Sequence, residues 1–126
     1  MYAPTPFGVM LKESRENLKL SQFDLANELG KTAQYISNIE KGKNNSPPDD
    51  SAILKLIDIL KLNEPDADTF RFLAYADRGM LPPEMFQYLS DRPSLIGLLR
   101  YATANNVPVD YWDSLLRSVR KADYNG

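Results

Sequence analysis

Residues 21–42, SQFDLANELGKTAQYISNIEKG, contain two short helical patterns on either side of a single glycine. Gly30 stands where the first helix must end, because glycine adopts the left-handed backbone conformation without steric cost. Ser21 and Thr32 precede the two patterns and are expected to cap the helices through their hydroxyls. Five apolar residues recur at helical intervals, namely Leu25, Ala26, Leu29, Ile36 and Ile39. The stretch therefore predicts two helices joined by a tight turn, which is the helix-turn-helix pattern.

The outward side of the second helix favours DNA binding over an ordinary helical hairpin, which apolar spacing alone leaves open as an alternative. Gln34, Ser37 and Asn38 lie about one turn apart, and amide and hydroxyl side chains can bind base edges in the major groove. Three side chains suited to phosphate contacts come next in the chain: Lys41, Lys43 and Asn44. This pattern predicts a helix that reads DNA sequence.

Composition narrows the class of protein. A chain of 126 residues is long enough for one domain or two small ones. It has no cysteine and no histidine, which excludes disulfides, Cys/His zinc sites, a cysteine nucleophile and a histidine base. We expect no cofactor, no metal and no enzymatic activity. No apolar run approaches ~20 residues and the start, MYAPTPFG, lacks a signal-peptide layout, so we expect a cytoplasmic protein without a membrane segment.

The net charge of −2 is unusual for a DNA-binding protein, so the distribution of charge matters more than its sum. The segment from residue 31 to residue 44 has three basic residues, Lys31, Lys41 and Lys43, and one acidic residue, Glu40. Most acidic residues lie elsewhere in the chain. Because non-specific affinity depends on neutralising phosphates, it should be modest here. Tight binding would then require base contacts and a dimer.

Three polar residues in and near the motif have predicted roles. Arg15 falls on the inner face of a first helix that Thr5 is expected to cap, and Glu40 is its obvious ion-pair partner. The alternative is that both charges are solvated. Gln22 lies in the first turn of the motif's first helix, where backbone amides and an outward glutamine can hold a phosphate. The alternative for Gln22 is a surface residue without a function.

The rest of the chain is also predicted to be helical. Its second break, NEPDAD at residues 63–68, predicts a boundary between a DNA-binding domain at 1–63 and a helical C-terminal domain at 64–126. Asp91 and Asp110 are the expected caps of the last two helices. Six apolar residues on these helices belong either to a core or to a contact with a second copy of the chain: Leu95, Leu98, Leu99, Trp112, Leu115 and Leu116.

Residues 6–62 resemble the Cro/cI-type (XRE) phage-repressor family. The resemblance rests on seven residues in register: Gln22, Ala26, Gly30, Ile36, Ile39, Glu40 and Gly42. Lys31 departs from the pattern, since an apolar residue is usual after the turn glycine. The resemblance implies a lambda-repressor-like all-α bundle and a buried Arg15–Glu40 ion pair. It also implies base contacts by Ala33, Gln34, Ser37 and Asn38, and DNA-backbone contacts by Gln22, Thr32, Tyr35, Lys41, Lys43 and Asn44.

These observations predict a transcription regulator, specifically a repressor that binds a palindromic operator on double-stranded DNA as a homodimer. The second half of the chain is similar to the tail of a group of small regulators, which names no ligand. One alternative is the antitoxin of a toxin–antitoxin pair, whose second half would bind a toxin protein. Another is a protein-binding adaptor that kept the helical fold without binding DNA.

Overall fold

The computed structural model describes residues 2–43 and 47–122, and within them the chain forms eight α-helices and no strand. The predicted all-α fold is confirmed. None of the described helices is long and apolar enough to cross a bilayer. In chain order the helices are α1 (Pro6–Asn17), α2 (Gln22–Leu29), α3 (Ala33–Lys41), α4 (Asp50–Ile59), α5 (Glu64–Ala76), α6 (Pro83–Ser90), α7 (Pro93–Asn105) and α8 (Val109–Lys121).

The chain divides into two compact units between residues 83 and 84, twenty residues beyond the boundary that the sequence predicts at residue 63. The reason is α5, which packs against α1 and α4 instead of opening a second domain. Phe70 of α5 is fully buried, and its ring centroid lies 4.8 Å from that of Phe7 in α1. Ala74 and Tyr75 are buried beside it. Helix α5 is thus part of the core that supports the motif.

The first unit owes its core to apolar faces of α1 to α5. The fully buried side chains include Leu11, Leu25, Ile36, Ile53 and Leu56. A Cβ atom at Gly8 would lie 2.5 Å from the Ile39 carbonyl oxygen, so only glycine lets α1 cross α3 this closely. This crossing fixes the inner side of α3 against the core.

Each of the five helices in the first unit begins with a side chain that accepts a hydrogen bond from a backbone amide of the first turn. These caps are Thr5, Ser21, Thr32, Asp49 and Asn63. At α2 the cap is reciprocal, since the Asp24 carboxylate also accepts from the Ser21 amide. The expected caps Thr5, Ser21 and Thr32 are confirmed. A cap of this kind stabilises a helix by about 1 kcal/mol.

The second unit, described here to residue 122, is built differently. Helices α6, α7 and α8 contain no buried residue. The cap positions of α7 and α8 are Arg92 and Pro108, without a side-chain cap hydrogen bond. The expected caps Asp91 and Asp110 are wrong: Asp91 accepts from the Gln87 side chain instead, and Asp110 lies inside the first turn of α8. The apolar faces of these helices are therefore exposed or partly exposed.

Candidate nucleic-acid interface

The turn between α2 and α3 has the geometry that the sequence predicts. Gly30 adopts a left-handed conformation with φ +78°, and the Lys31 amide donates to the Ala26 carbonyl at 2.8 Å. Thr32 then accepts from the Tyr35 amide at 3.2 Å, which starts α3. The unusual Lys31 is exposed, and its Nζ lies 5.4 Å from the centroid of the Tyr35 ring. The lysine is accommodated because its cation can interact with this aromatic face.

Helix α3 separates an inner apolar side from an outer polar side. Ile36 and Ile39 are buried, whereas Gln34 is exposed. The Gln34 Nε2 donates to Asn38 Oδ1 at 2.8 Å, so the two amides form a joined pair one turn apart. The predicted base-contacting residues Ala33, Ser37 and Asn38 are partly exposed. The structure thus brings all four predicted residues together on one helix.

The C-terminal end of α3 is fixed by the chain that precedes α1. Gly42 has φ +79°, and a Cβ there would lie 1.9 Å from the Ala3 carbonyl oxygen. The Lys43 amide donates to the Asn38 carbonyl at 2.8 Å. Lys43 is partly exposed, with its Nζ 5.7 Å from the centroid of the Tyr2 ring. The backbone thus holds Lys43 in a defined place just beyond α3, while Asn44 lies outside the described residues.

A buried ion pair ties α3 to α1. The Arg15 Nε lies 2.7 Å from Glu40 Oε2, and Nη2 donates to Glu40 Oε1 at 3.0 Å. Arg15 also donates to the Leu20 carbonyl at 2.7 Å, and Gln22 Nε2 donates to Glu40 Oε1 at 3.0 Å. The hydrogen bonds to Glu40 raise the pKa of Arg15, so its charge persists although the side chain is buried. The pair joins α1, the start of α2 and the end of α3.

An open depression of about 430 Å³ lies over this network and extends the interface beyond the predicted residues. Lys12, Gln22 and Lys41 line it, together with Tyr2 and Glu40. Neither Lys12 nor Tyr2 was predicted from the sequence. An outward lysine on α1 can be assigned to the interface only when the packing of α1 against α3 is known. Because Glu40 is paired with Arg15, the exposed lysines dominate the charge of the depression.

Helix α5 and the turn that follows it hold the segment that leads into α4. Arg71 Nε lies 2.9 Å from Asp50 Oδ1, and the Tyr75 hydroxyl donates to the same oxygen at 3.0 Å. Arg78 donates to the Pro48 carbonyl. The Arg71 hydrogen bond lowers the pKa of Asp50. Helix α5 thus braces the first turn of α4 and neutralises a carboxylate close to the motif.

The predicted DNA-backbone residues lie within α3, directly before and after it, and at the start of α2. Thr32 and Lys41 are exposed, and Gln22, Tyr35 and Lys43 are partly exposed. Burial, followed by the nearby Asp49 carboxylate, raises the pKa of Tyr35, so its hydroxyl stays protonated and can donate a hydrogen bond. Donors of this kind suit phosphate oxygens.

Comparison with known families identifies the domain that contains α2 and α3. Residues 11–66 match the family model described as Helix-turn-helix, which represents a DNA-binding regulatory domain and not an enzyme family. Searches of the curated proteins and of the solved structures returned no match. The matched segment begins within α1, spans the whole motif and ends within the first turn of α5. Residues 11–66 therefore form a helix-turn-helix domain of the Cro/cI (XRE) type.

Proposed function

We propose that this protein is a transcriptional repressor that binds a palindromic operator as a homodimer. The observation that carries the proposal is the outer face of α3, where the Gln34–Asn38 pair projects from a helix that is anchored by the core and by the Arg15–Glu40 pair. Such a helix fits the major groove of B-DNA. Repression follows from occupying a promoter.

Base recognition falls to the outer face of α3. Asparagine and glutamine amides bind the adenine edge through its N6 and N7 atoms, and a serine hydroxyl can bind several bases. We assign these roles to Gln34, Asn38 and Ser37. Ala33 lies at the first position of α3, where its methyl group suits contact with a thymine methyl.

Phosphate contacts flank the base-reading helix on two sides. Lys12, Gln22 and Lys41 line one depression, which is wide enough to admit a phosphate group. Beside α3, Thr32 and Tyr35 offer hydroxyls, and Lys43 offers an ammonium group beyond its C-terminus. These contacts position the protein on the duplex without reading sequence. Asn44 completes this proposed set.

A homodimer is proposed because one motif provides few cationic contacts. The full chain carries a net charge of −2, and a single small module buries only about 600–1,000 Å² on DNA. Two copies related by a two-fold axis would double the contacts and meet half-sites about 34 Å apart. We assign this contact to six exposed or partly exposed apolar residues of α7 and α8: Leu95, Leu98, Leu99, Trp112, Leu115 and Leu116.

The direct experiment is to sequence the fragments that the purified full chain retains from a random double-stranded DNA library. We expect an inverted repeat whose half-sites are about one helical turn apart, 10–10.5 base pairs centre to centre. Absence of retention even at low salt would refute DNA binding and favour the adaptor hypothesis. A stable stoichiometric complex with a neighbouring gene product, which inactivates that product, would favour the antitoxin hypothesis.

Two variants separate base contacts from phosphate contacts on the operator so defined. Asn38→Ala should cost about 1–3 kcal/mol at the preferred site and relax base discrimination there. Lys43→Ala should weaken specific and random DNA alike and reduce the slope of log affinity against log salt by about one. Lys55→Ala is the matched control, because Lys55 is exposed on α4 and outside the proposed interface. If Asn38→Ala and Lys43→Ala gave the same profile, these role assignments would be wrong.

A further inference from the structure

Helix α8 presents an unusually complete apolar face for a helix that buries no residue. Val109, Trp112, Leu116 and Val119 follow one another at intervals of three, four and three residues, which places them along one seam. Val109 is 70% exposed, and Leu116 and Val119 are 50% and 47% exposed. Such a seam is costly in water and is typical of a helix that packs against another helix.

The charges beside this seam are sorted by sign along the helix. Asp110 and Asp113 occupy the N-terminal half of α8. Arg117 and Arg120 occupy the C-terminal half, followed by Lys121. Two such helices placed side by side in antiparallel orientation bring the acidic half of each against the basic half of the other. A parallel arrangement would bring like charges together.

We propose that α8 pairs antiparallel with α8 of a second copy of this chain, around a two-fold axis near the middle of the helix. This inference rests on the proposed homodimer and specifies its contact and orientation. A second copy is the occupant that the charge pattern selects, because an antiparallel α8 is electrostatically complementary to itself. Helix α7 is a poorer partner for these charges, since Arg100 is its sole charged residue. Isologous contacts of this kind produce the closed two-fold symmetry that a palindromic operator requires.

The same charge order would also arise if acidic and basic residues merely complemented the dipole of α8. Charge reversal separates the two explanations. The half-swap Asp110→Lys with Asp113→Lys makes α8 basic throughout, so both explanations predict weaker dimerisation. The full swap adds Arg117→Glu and Arg120→Glu, which restores complementarity between two antiparallel copies but opposes the helix dipole along the whole of α8. Self-pairing predicts that the full swap recovers the dimer, whereas the dipole alone predicts that it is the worst variant.

The experiment measures dimer dissociation constants of the full-length chain by sedimentation equilibrium at low salt, with far-ultraviolet circular dichroism to confirm helix content. We expect the half-swap to raise the dissociation constant about tenfold or more, and the full swap to return it to within a few-fold of the original. The complementary half-swap, Arg117→Glu with Arg120→Glu, should also dimerise poorly alone. Mixed with the first half-swap, it should form a heterodimer tighter than either homodimer.

The outcomes distinguish this inference from the proposed function. An unmodified chain that stays monomeric at all concentrations would overturn both the homodimer and its α8 contact. A dimer that the half-swaps leave unchanged would overturn the α8 contact alone. A full swap that dimerises no better than the half-swap would overturn the antiparallel arrangement.

Discussion

Breaking the Arg15–Glu40 pair should destabilise the protein far more than replacing both partners. The two side chains are 9% and 4% exposed, so neither charge can recover full hydration when it loses its partner. Arg15→Met leaves Glu40 with the Gln22 amide as its remaining donor in this network. Glu40→Leu leaves Arg15 with the Leu20 carbonyl. Each single change should therefore lower the free energy of unfolding by about 3–5 kcal/mol.

The double variant should be much milder, because replacing both charges by apolar groups removes the desolvation cost together with the attraction. We expect a loss of about 1–2 kcal/mol, which corresponds to the hydrogen bonds that the Leu20 carbonyl and the Gln22 amide lose. Urea unfolding of the two single variants and the double variant gives the coupling energy directly. Asp50→Asn is the comparison, since the Arg71–Asp50 pair is much more accessible to water, with side chains 21% and 43% exposed, and its loss should cost about 1 kcal/mol. Single effects that are small and additive would show that Arg15 and Glu40 behave as solvated charges.

Two further predictions concern the frame around α3. Gly42→Ala should destabilise the protein by roughly 1–3 kcal/mol more than Gly30→Ala does, as measured by urea unfolding. Both positions have positive φ, but only at Gly42 would the new Cβ collide with the Ala3 carbonyl. Equal costs would show that this close approach does not constrain the fold. Burial raises the pKa of Asp77, whose carboxylate accepts a hydrogen bond from Thr5. Because the folded state then binds this proton more tightly than the unfolded state does, the free energy of unfolding falls as pH rises from the ordinary carboxyl range through the raised folded pKa. Asp77→Asn should therefore be at least as stable as the original chain at pH 7, with a relative gain that shrinks at pH 3; a gain that grew on acidification would contradict the assignment.

Much of the first unit is predictable because its signals are local. A cap such as Thr5 or Thr32 acts on amides three residues away, and Gly30 ends α2 through its own backbone conformation. Each signal can be recognised in a few residues of sequence. The Arg15–Glu40 pair is predictable for a related reason, since a charge on an apolar helix face requires a partner.

The packing of α5 into the first unit could not be predicted in the same way. The polar segment after Leu62 has the composition of a linker, yet Asn63 caps α5 and the residues after it form the first turn. A capped helix start and a linker share the same residue types, because both use polar groups and proline. What distinguishes them is that Phe70 packs against Phe7, a contact between residues far apart in sequence.

The interface shows a similar limit. Lys12 and Tyr2 are far from α3 in the chain and join it only because α1 crosses α3 at Gly8 and the preceding segment crosses Gly42. In the second unit, local signals were misleading because Asp91 and Asp110 have the right chemistry for caps but the chain starts its helices at neighbouring positions. Helix ends there receive no tertiary support, since the described helices bury no residue.

The fold assigns stability and proposed sequence recognition to different sides of α3. Ile36 and Ile39 face the core, and Glu40 joins the ion-pair network. Gln34 lies opposite them and is exposed, while Asn38 bonds to it rather than to the core. Substitutions at these two amides therefore remove little buried contact and leave the support of α3 intact. In the proposed mechanism, substitutions at the outer amides change which operator is recognised, while the inner residues keep the helix in place.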